Sequence, residues 1–254
     1  MDRAEPFLRH KKSASHSAHS SKFHVHSALF SAGSCNAPHA IFAPLHYEAG
    51  YAYPLLVWLH GPGDDERQLM RIMPLVSMRN FVAVAPRGVC GSRDGTPGYG
   101  WQQSDEAIGL AETRIFDSIE MVRRKFNIAP RRIFIAGFDC GGTMAFRVAM
   151  NHPRELAGIL SLGGPLPNGR SPLGNLVEAR RVPIFLSVGR DSQQYPPSQA
   201  CAHLRLLHTA GLSVTMRQYP VGHVLTPQML SDVDRWILEQ ITAASPISDT
   251  PERQ

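Results

Sequence analysis

The chain has 254 residues, 43% of them apolar, and 26 Lys and Arg against 21 Asp and Glu give it a net charge of +5, enough for one buried core of moderate size. The positive charge is spread without a dense basic run or interleaved aromatic residues, which argues against a nucleic-acid-binding protein. Cys35, Cys90, Cys140 and Cys201 stand far apart, no apolar run approaches bilayer-spanning length, and the N-terminus has no apolar signal core, so the expectation is a cytoplasmic chain with reduced thiols and no stable membrane insertion.

Residues 1–27 are polar, rich in serine, and carry His10, His16, His19, His24 and His26. Such a stretch cannot repay the entropy of ordering and reads as a disordered tail, with metal chelation by the imidazoles as the lesser alternative. One folded domain is expected over 28–243, followed by a polar tail over 244–254.

Within that domain apolar runs alternate with helical patterns. A strand is expected over 41–47, and Tyr53-Pro-Leu-Leu-Val-Trp-Leu59 reads as a central strand buried on both faces. It runs into the glycine-rich loop His60-Gly-Pro-Gly-Asp-Asp65, whose acidic residues suit the cap of a helix over 66–78. Phe81-Val-Ala-Val-Ala85 is the next buried strand, and 86–103 reads as a long functional loop carrying Tyr99 and Trp101. A helix over 105–126 follows, with Ile108, Ala111, Ile115, Ile119 and Val122 at helical spacing.

The run Arg132-Ile-Phe-Ile-Ala-Gly-Phe-Asp-Cys-Gly-Gly142 is a short strand, a tight turn and the start of an apolar helix over 143–150. Gly137 and Gly141 flank Asp139 two residues away on each side, the spacing of a nucleophile elbow, with an aspartate where an esterase carries serine. Further strands are expected over 156–162, 183–188 and 212–219, the last at a sheet edge, with helices over 197–210 and 226–241. The alternation implies a doubly wound α/β fold, a mostly parallel sheet flanked by helices with no large cap domain. His60 to Gly63, Asp139, Asp191 and His223 each follow a strand, so all fall where such sheets bind ligands.

At four landmarks the chain resembles the phospholipase/carboxylesterase group of α/β-hydrolases, which includes acyl-protein thioesterases. They are Leu59-His-Gly-Pro-Gly-Asp64, Ala85-Pro-Arg87 with Trp101 after it, Gly137-Phe-Asp-Cys-Gly-Gly142, and Gly189-Arg-Asp191 followed by Gly222-His223. The resemblance implies Asp139 in the nucleophile position, Asp191 as acid and His223 as base. It places the oxyanion hole at the Cys140 N–H and the loop residues Pro62 and Gly63, and substrate contacts at His60 and Trp101. Pro62 stands where the second oxyanion N–H belongs and has none to give. With carboxylates on both sides, His223 would be held toward its charged form.

These residues support three readings. The first is a hydrolase of ester or thioester bonds in small acyl substrates, with low activity. The second is a catalytically silent member that binds a ligand or a protein partner in the same pocket, and the third is an Asp-nucleophile hydrolase acting on epoxide or haloalkane carbon. No metal or cofactor is expected in any of them, and oligomeric state is left open.

Overall fold

The computed structural model describes residues 37–93, 96–169 and 174–244. The histidine-bearing tail expected over 1–27, Cys35, and the C-terminal stretch from 245 lie outside those residues. The first half of the chain forms β1 (His39–Phe42), β2 (Tyr53–Leu59), α1 (Gln68–Val76), β3 (Val82–Pro86), the hairpin β4 (Val89–Arg93) and β5 (Thr96–Gly100), and α2 (Asp105–Arg123). The second half forms β6 (Ile128–Phe138), α3 (Cys140–Asn151), β7 (Gly158–Leu162), α4 (Leu176–Ala179), β8 (Ile184–Gly189), α5 (Pro197–Thr209), β9 (Val214–Tyr219) and α6 (Pro227–Ala244).

Seven strands join in the order β1-β3-β2-β6-β7-β8-β9, with β4 and β5 forming a separate two-stranded ribbon. Only β1 runs antiparallel to its neighbour; the other pairings in the large sheet are parallel. Every residue of β2 is buried, because helices cover both faces of the sheet. Its side chains alternate between two cores: Leu55, Val57 and Leu59 pack toward α2 and α3, while Leu56 and Trp58 pack toward α1 and α6. This is the expected doubly wound architecture, and β9 occupies the expected edge.

Several boundaries differ from the sequence expectation, each for a local reason. The strand over 41–47 is cut to His39–Phe42, since Pro44 and a positive φ at His46 (58°) turn the chain out of the sheet. Helix α1 begins at Gln68, so Asp64 and Asp65 do not cap it directly. Instead Asp65 Oδ1 accepts the Arg67 N–H (2.8 Å), and Gln68 donates to Asp64 Oδ2 (2.9 Å). The stretch 86–103 is not a structureless loop but carries the β4–β5 hairpin.

Candidate active site

The centre of the site is the turn between β6 and α3. Asp139 adopts φ 51° and ψ −119°, a region that side-chain-bearing residues rarely occupy, at a cost on the order of 1–3 kcal/mol. The surrounding glycines make this turn possible. A Cβ on Gly137 would sit 2.4 Å from the carbonyl carbon of Gly141, and one on Gly141 would sit 2.2 Å from the Leu59 oxygen. Main-chain bonds fix the bend, from Asp139 N–H to Leu162 O (2.9 Å) and from Thr143 N–H to Asp139 O (3.0 Å).

His223 reaches this turn from the loop after β9. Its Nε2 lies 2.9 Å from Asp139 Oδ2, and both side chains are largely enclosed, 9% and 16% exposed. The ring lies over Phe138 with centroids 5.3 Å apart, and Gly163, at φ 66°, leaves the space beside Cε1 open. The loop after β8 is tied to the histidine loop by Arg190 N–H to Tyr219 O (2.7 Å) and Asp191 N–H to Val221 O (3.0 Å).

The other ring nitrogen of His223 meets a hydroxyl rather than a carboxylate. Ser192 Oγ lies 3.0 Å from Nδ1, and the same oxygen accepts the Tyr195 N–H at 3.1 Å. Asp191, expected as the acid, makes no hydrogen bond to the ring. Its carboxylate is 61% exposed and meets the Arg190 guanidinium at 3.3 Å. The physical reason is the turn itself: Ser192 N–H bonds to Gly189 O (3.1 Å), closing a tight bend that points Asp191 to solvent and Ser192 inward. Among the described residues one carboxylate, Asp139, therefore reaches the imidazole, and Asp191 does not supply the second one expected from the sequence.

Hydrogen-bond chemistry gives the neutral imidazole one tautomer here. An ionised Asp139 can only accept, so Nε2 carries the proton and Nδ1 accepts from the Ser192 O–H. A serine hydrolase needs the opposite arrangement, with Nδ1–H held by the acid and a bare Nε2 taking the nucleophile's proton.

The expected oxyanion loop offers little to a developing negative charge. Pro62 has no N–H, and the Gly63 N–H donates to Tyr99 O on β5 at 2.8 Å. The hairpin is seated directly on this loop, since a Cβ on Gly98 would lie 2.7 Å from Gly63 Cα. Cys140 is the first residue of α3, with its sulfur beside Gly100.

His60 and Trp101, expected to touch substrate, are instead buried fastenings. His60 Nδ1 bonds Gly61 O (2.8 Å), Nε2 accepts the Gly88 N–H (2.9 Å), and Trp101 Nε1 donates to His60 O (3.1 Å). Burial holds the His60 imidazole below its usual pKa, consistent with a neutral ring that donates from one nitrogen and accepts at the other. Arg87 is also committed, its guanidinium forked onto Glu66 and stacked over Tyr99. Burial pushes the Glu66 carboxyl up, but the bonds from Arg87 outweigh this and hold it below its ordinary value.

Among the described residues no group of three or more His, Cys, Asp or Glu is arranged to hold a metal ion, and no helix is long and apolar enough to cross a membrane.

Comparison with known proteins agrees with this architecture. Over 221 residues the chain is 25% identical to a probable carboxylesterase of Oryza sativa subsp. japonica, covering 80% of this chain and 83% of that protein. It is 27% identical over 220 residues to acyl-protein thioesterase 1 of Eremothecium gossypii, covering 78% and 91%. The crystal structure of Arabidopsis thaliana SOBER1 superposes with a TM-score of 0.64 at 21% identity, over 75% of this chain and all of that one. The Bacillus cereus carboxylesterase superposes with a TM-score of 0.65 at 18% identity, over 81% and 95%. The phospholipase/carboxylesterase family model matches residues 47–241, which spans β2 to α6, and the chain belongs to that family of α/β-hydrolases.

Proposed function

We propose that this protein hydrolyses ester or thioester bonds of small acyl substrates, using Asp139 and His223 to activate water instead of forming an acyl-serine. The observation that carries the reading is the 2.9 Å contact between His223 Nε2 and Asp139 Oδ2 on the strained turn. Direct attack by a carboxylate on an ester carbonyl would make an anhydride, which lies uphill. A water held by Asp139 avoids that step. Its oxygen bonds the acyl carbon while its proton passes to the carboxylate, with Nε2–H orienting the acceptor. As the tetrahedral adduct collapses, the C–O or C–S bond to the leaving group breaks, and the proton on Asp139 is returned to the departing oxygen or sulfur.

Turnover by this route is slow compared with a serine esterase. Loss of one preorganised oxyanion donor costs on the order of a hundred- to a thousandfold. Pro62 and the engaged Gly63 N–H leave the Cys140 main chain as the family position that still carries a donor there. The same observation favours a second reading, a silent member that binds an acyl or carboxylic ligand at the site.

The test is hydrolysis of short-chain nitrophenyl esters and acyl thioesters by the purified chain and by Asp139→Ala, with a single turnover run in ¹⁸O-water. We expect slow hydrolysis that Asp139→Ala reduces at least about a hundredfold, with the label appearing in the product acid at the first turnover. Label in Asp139, together with turnover of epoxides or haloalkanes, would move the assignment to nucleophilic aspartate chemistry at saturated carbon. Equal background rates in wild type and Asp139→Ala would leave the binding reading.

A further inference from the structure

The opposite edge of the sheet holds a second concavity unrelated to Asp139. A cleft of about 750 Å³ opens at the N-terminal ends of β6, β7, β8 and β9, where Arg131, Arg132, Arg180 and Arg181 converge. Ser213 and Gln240, the latter near the end of α6, add neutral polar groups, and none of the described residues lining it is acidic. The length of a strand, roughly 17–20 Å, separates this edge from the candidate active site.

The arginines come as two adjacent pairs, one within β6 and one in the turn after α4, and the backbone of β6 departs from regularity to present the first. Tyr53 of β2 pairs with Ile128 and Leu55 with Ile133, so an advance of two residues on β2 is matched by five on β6. The three extra residues form an excursion that carries Arg131 and Arg132 out of the ladder. The other pair follows the short helix α4. Arg180 is held in place by its Nε bond to Ala210 O (2.9 Å), and Gly211, at φ 81°, leaves room for it, since a Cβ there would lie 2.9 Å from that nitrogen.

Arg131 and Arg181 are exposed and form no ion pair among the described residues; Glu178, the acid nearest to Arg181 in sequence, feels its charge but makes its ion pair with Arg154. Like charges gathered at one concavity repel each other, and a bound anion lowers that cost. Guanidinium groups match phosphate oxygens through paired N–H donors. The cleft is larger than a bare phosphate needs and falls in the range of small-molecule sites, and Ala157 and Pro183 supply apolar surface for an organic portion.

We propose that this cleft is a second ligand site, for an organic phosphate carrying two or more negative charges, supplied either as a free metabolite or as a lipid headgroup. The test titrates the full chain with inorganic pyrophosphate and ribose 5-phosphate by calorimetry. Co-sedimentation with phosphatidylcholine vesicles, with and without phosphatidate, is measured alongside. Arg131→Ala/Arg181→Ala is the variant, since both side chains are exposed and without an ion pair among the described residues. Its melting temperature and its nitrophenyl ester turnover should match wild type.

We expect salt-sensitive binding of at least one of these probes, weakened about tenfold or more in the double variant. Binding of the soluble phosphates identifies a metabolite site, and sedimentation with phosphatidate vesicles alone identifies a headgroup site. The proposal is overturned if no probe binds, or if the double variant binds as tightly as wild type.

Discussion

On either side of His223 the side chains are the reverse of what an acyl-serine mechanism requires, with the carboxylate on the strained turn and the hydroxyl at the buried end of the ring. Restoring the usual order therefore takes two substitutions. Asp139→Ser alone yields a serine whose histidine has no carboxylate behind it, a loss that in serine proteases costs on the order of ten-thousandfold. The double variant Asp139→Ser/Ser192→Asp should exceed Asp139→Ser on nitrophenyl esters by a hundredfold or more, while Asp191→Ala should leave wild-type turnover unchanged. Steady-state kinetics on the four proteins checks both statements. The elbow was readable from the residues because two glycines two positions from Asp139 leave few alternatives. The partner of Nδ1 was not. Which of two adjacent residues faces inward after β8 depends on the bend closed by Ser192 N–H and Gly189 O, and no side-chain type in that stretch records it.

Glycines in this fold range from tightly enclosed to open, which gives glycine substitutions opposite signs. Gly141→Ala drives a methyl group into the Leu59 carbonyl and should destabilise the protein by about 3 kcal/mol or more. Gly109 lies within α2 with open space where its side chain would be, so Gly109→Ala should stabilise by about 0.5–1 kcal/mol. Urea denaturation of the two variants, read as midpoints, measures the contrast. The sheet strands were legible because runs such as Phe81 to Ala85 are apolar throughout and bounded by turns. The β4–β5 hairpin was hidden, since Val-Cys-Gly-Ser-Arg and Thr-Pro-Gly-Tyr-Gly carry neither an apolar run nor an alternation. Its consequence for the site, the engagement of the Gly63 N–H by Tyr99 O, was hidden with it.

The molecule as a whole gathers arginines at one end of its sheet and has a core fastened partly by neutral histidines. Burial lowers the pKa of His60, so the folded state resists its protonation while the unfolded chain accepts a proton near 6.5. The stabilisation from this group is complete above about pH 6.5 and declines as the pH falls through the folded value. His203, lowered by burial as well, acts in the same direction. We expect wild type to lose more stability between pH 7.5 and 5.5 than His60→Gln does, measured by denaturant titration at both pH values, although the variant is less stable at each. The convergence of arginines at the other end was beyond sequence reading. Arg131-Arg132 and Arg180-Arg181 are separated in the chain by α3, β7 and α4, and only the adjacency of β6 through β8 in the sheet brings them to one cleft.

The position of Ser192 Oγ beside His223 bears on how such a protein is found. Fluorophosphonate reagents that tag esterases do so by phosphorylating an accessible, activated serine; here the tip of the bend presents a carboxylate, and Ser192 is sealed behind the imidazole. A chain that shares ancestry and architecture with the targets of these reagents thus leaves them unreacted, and inhibitors designed around serine capture have no handle on it.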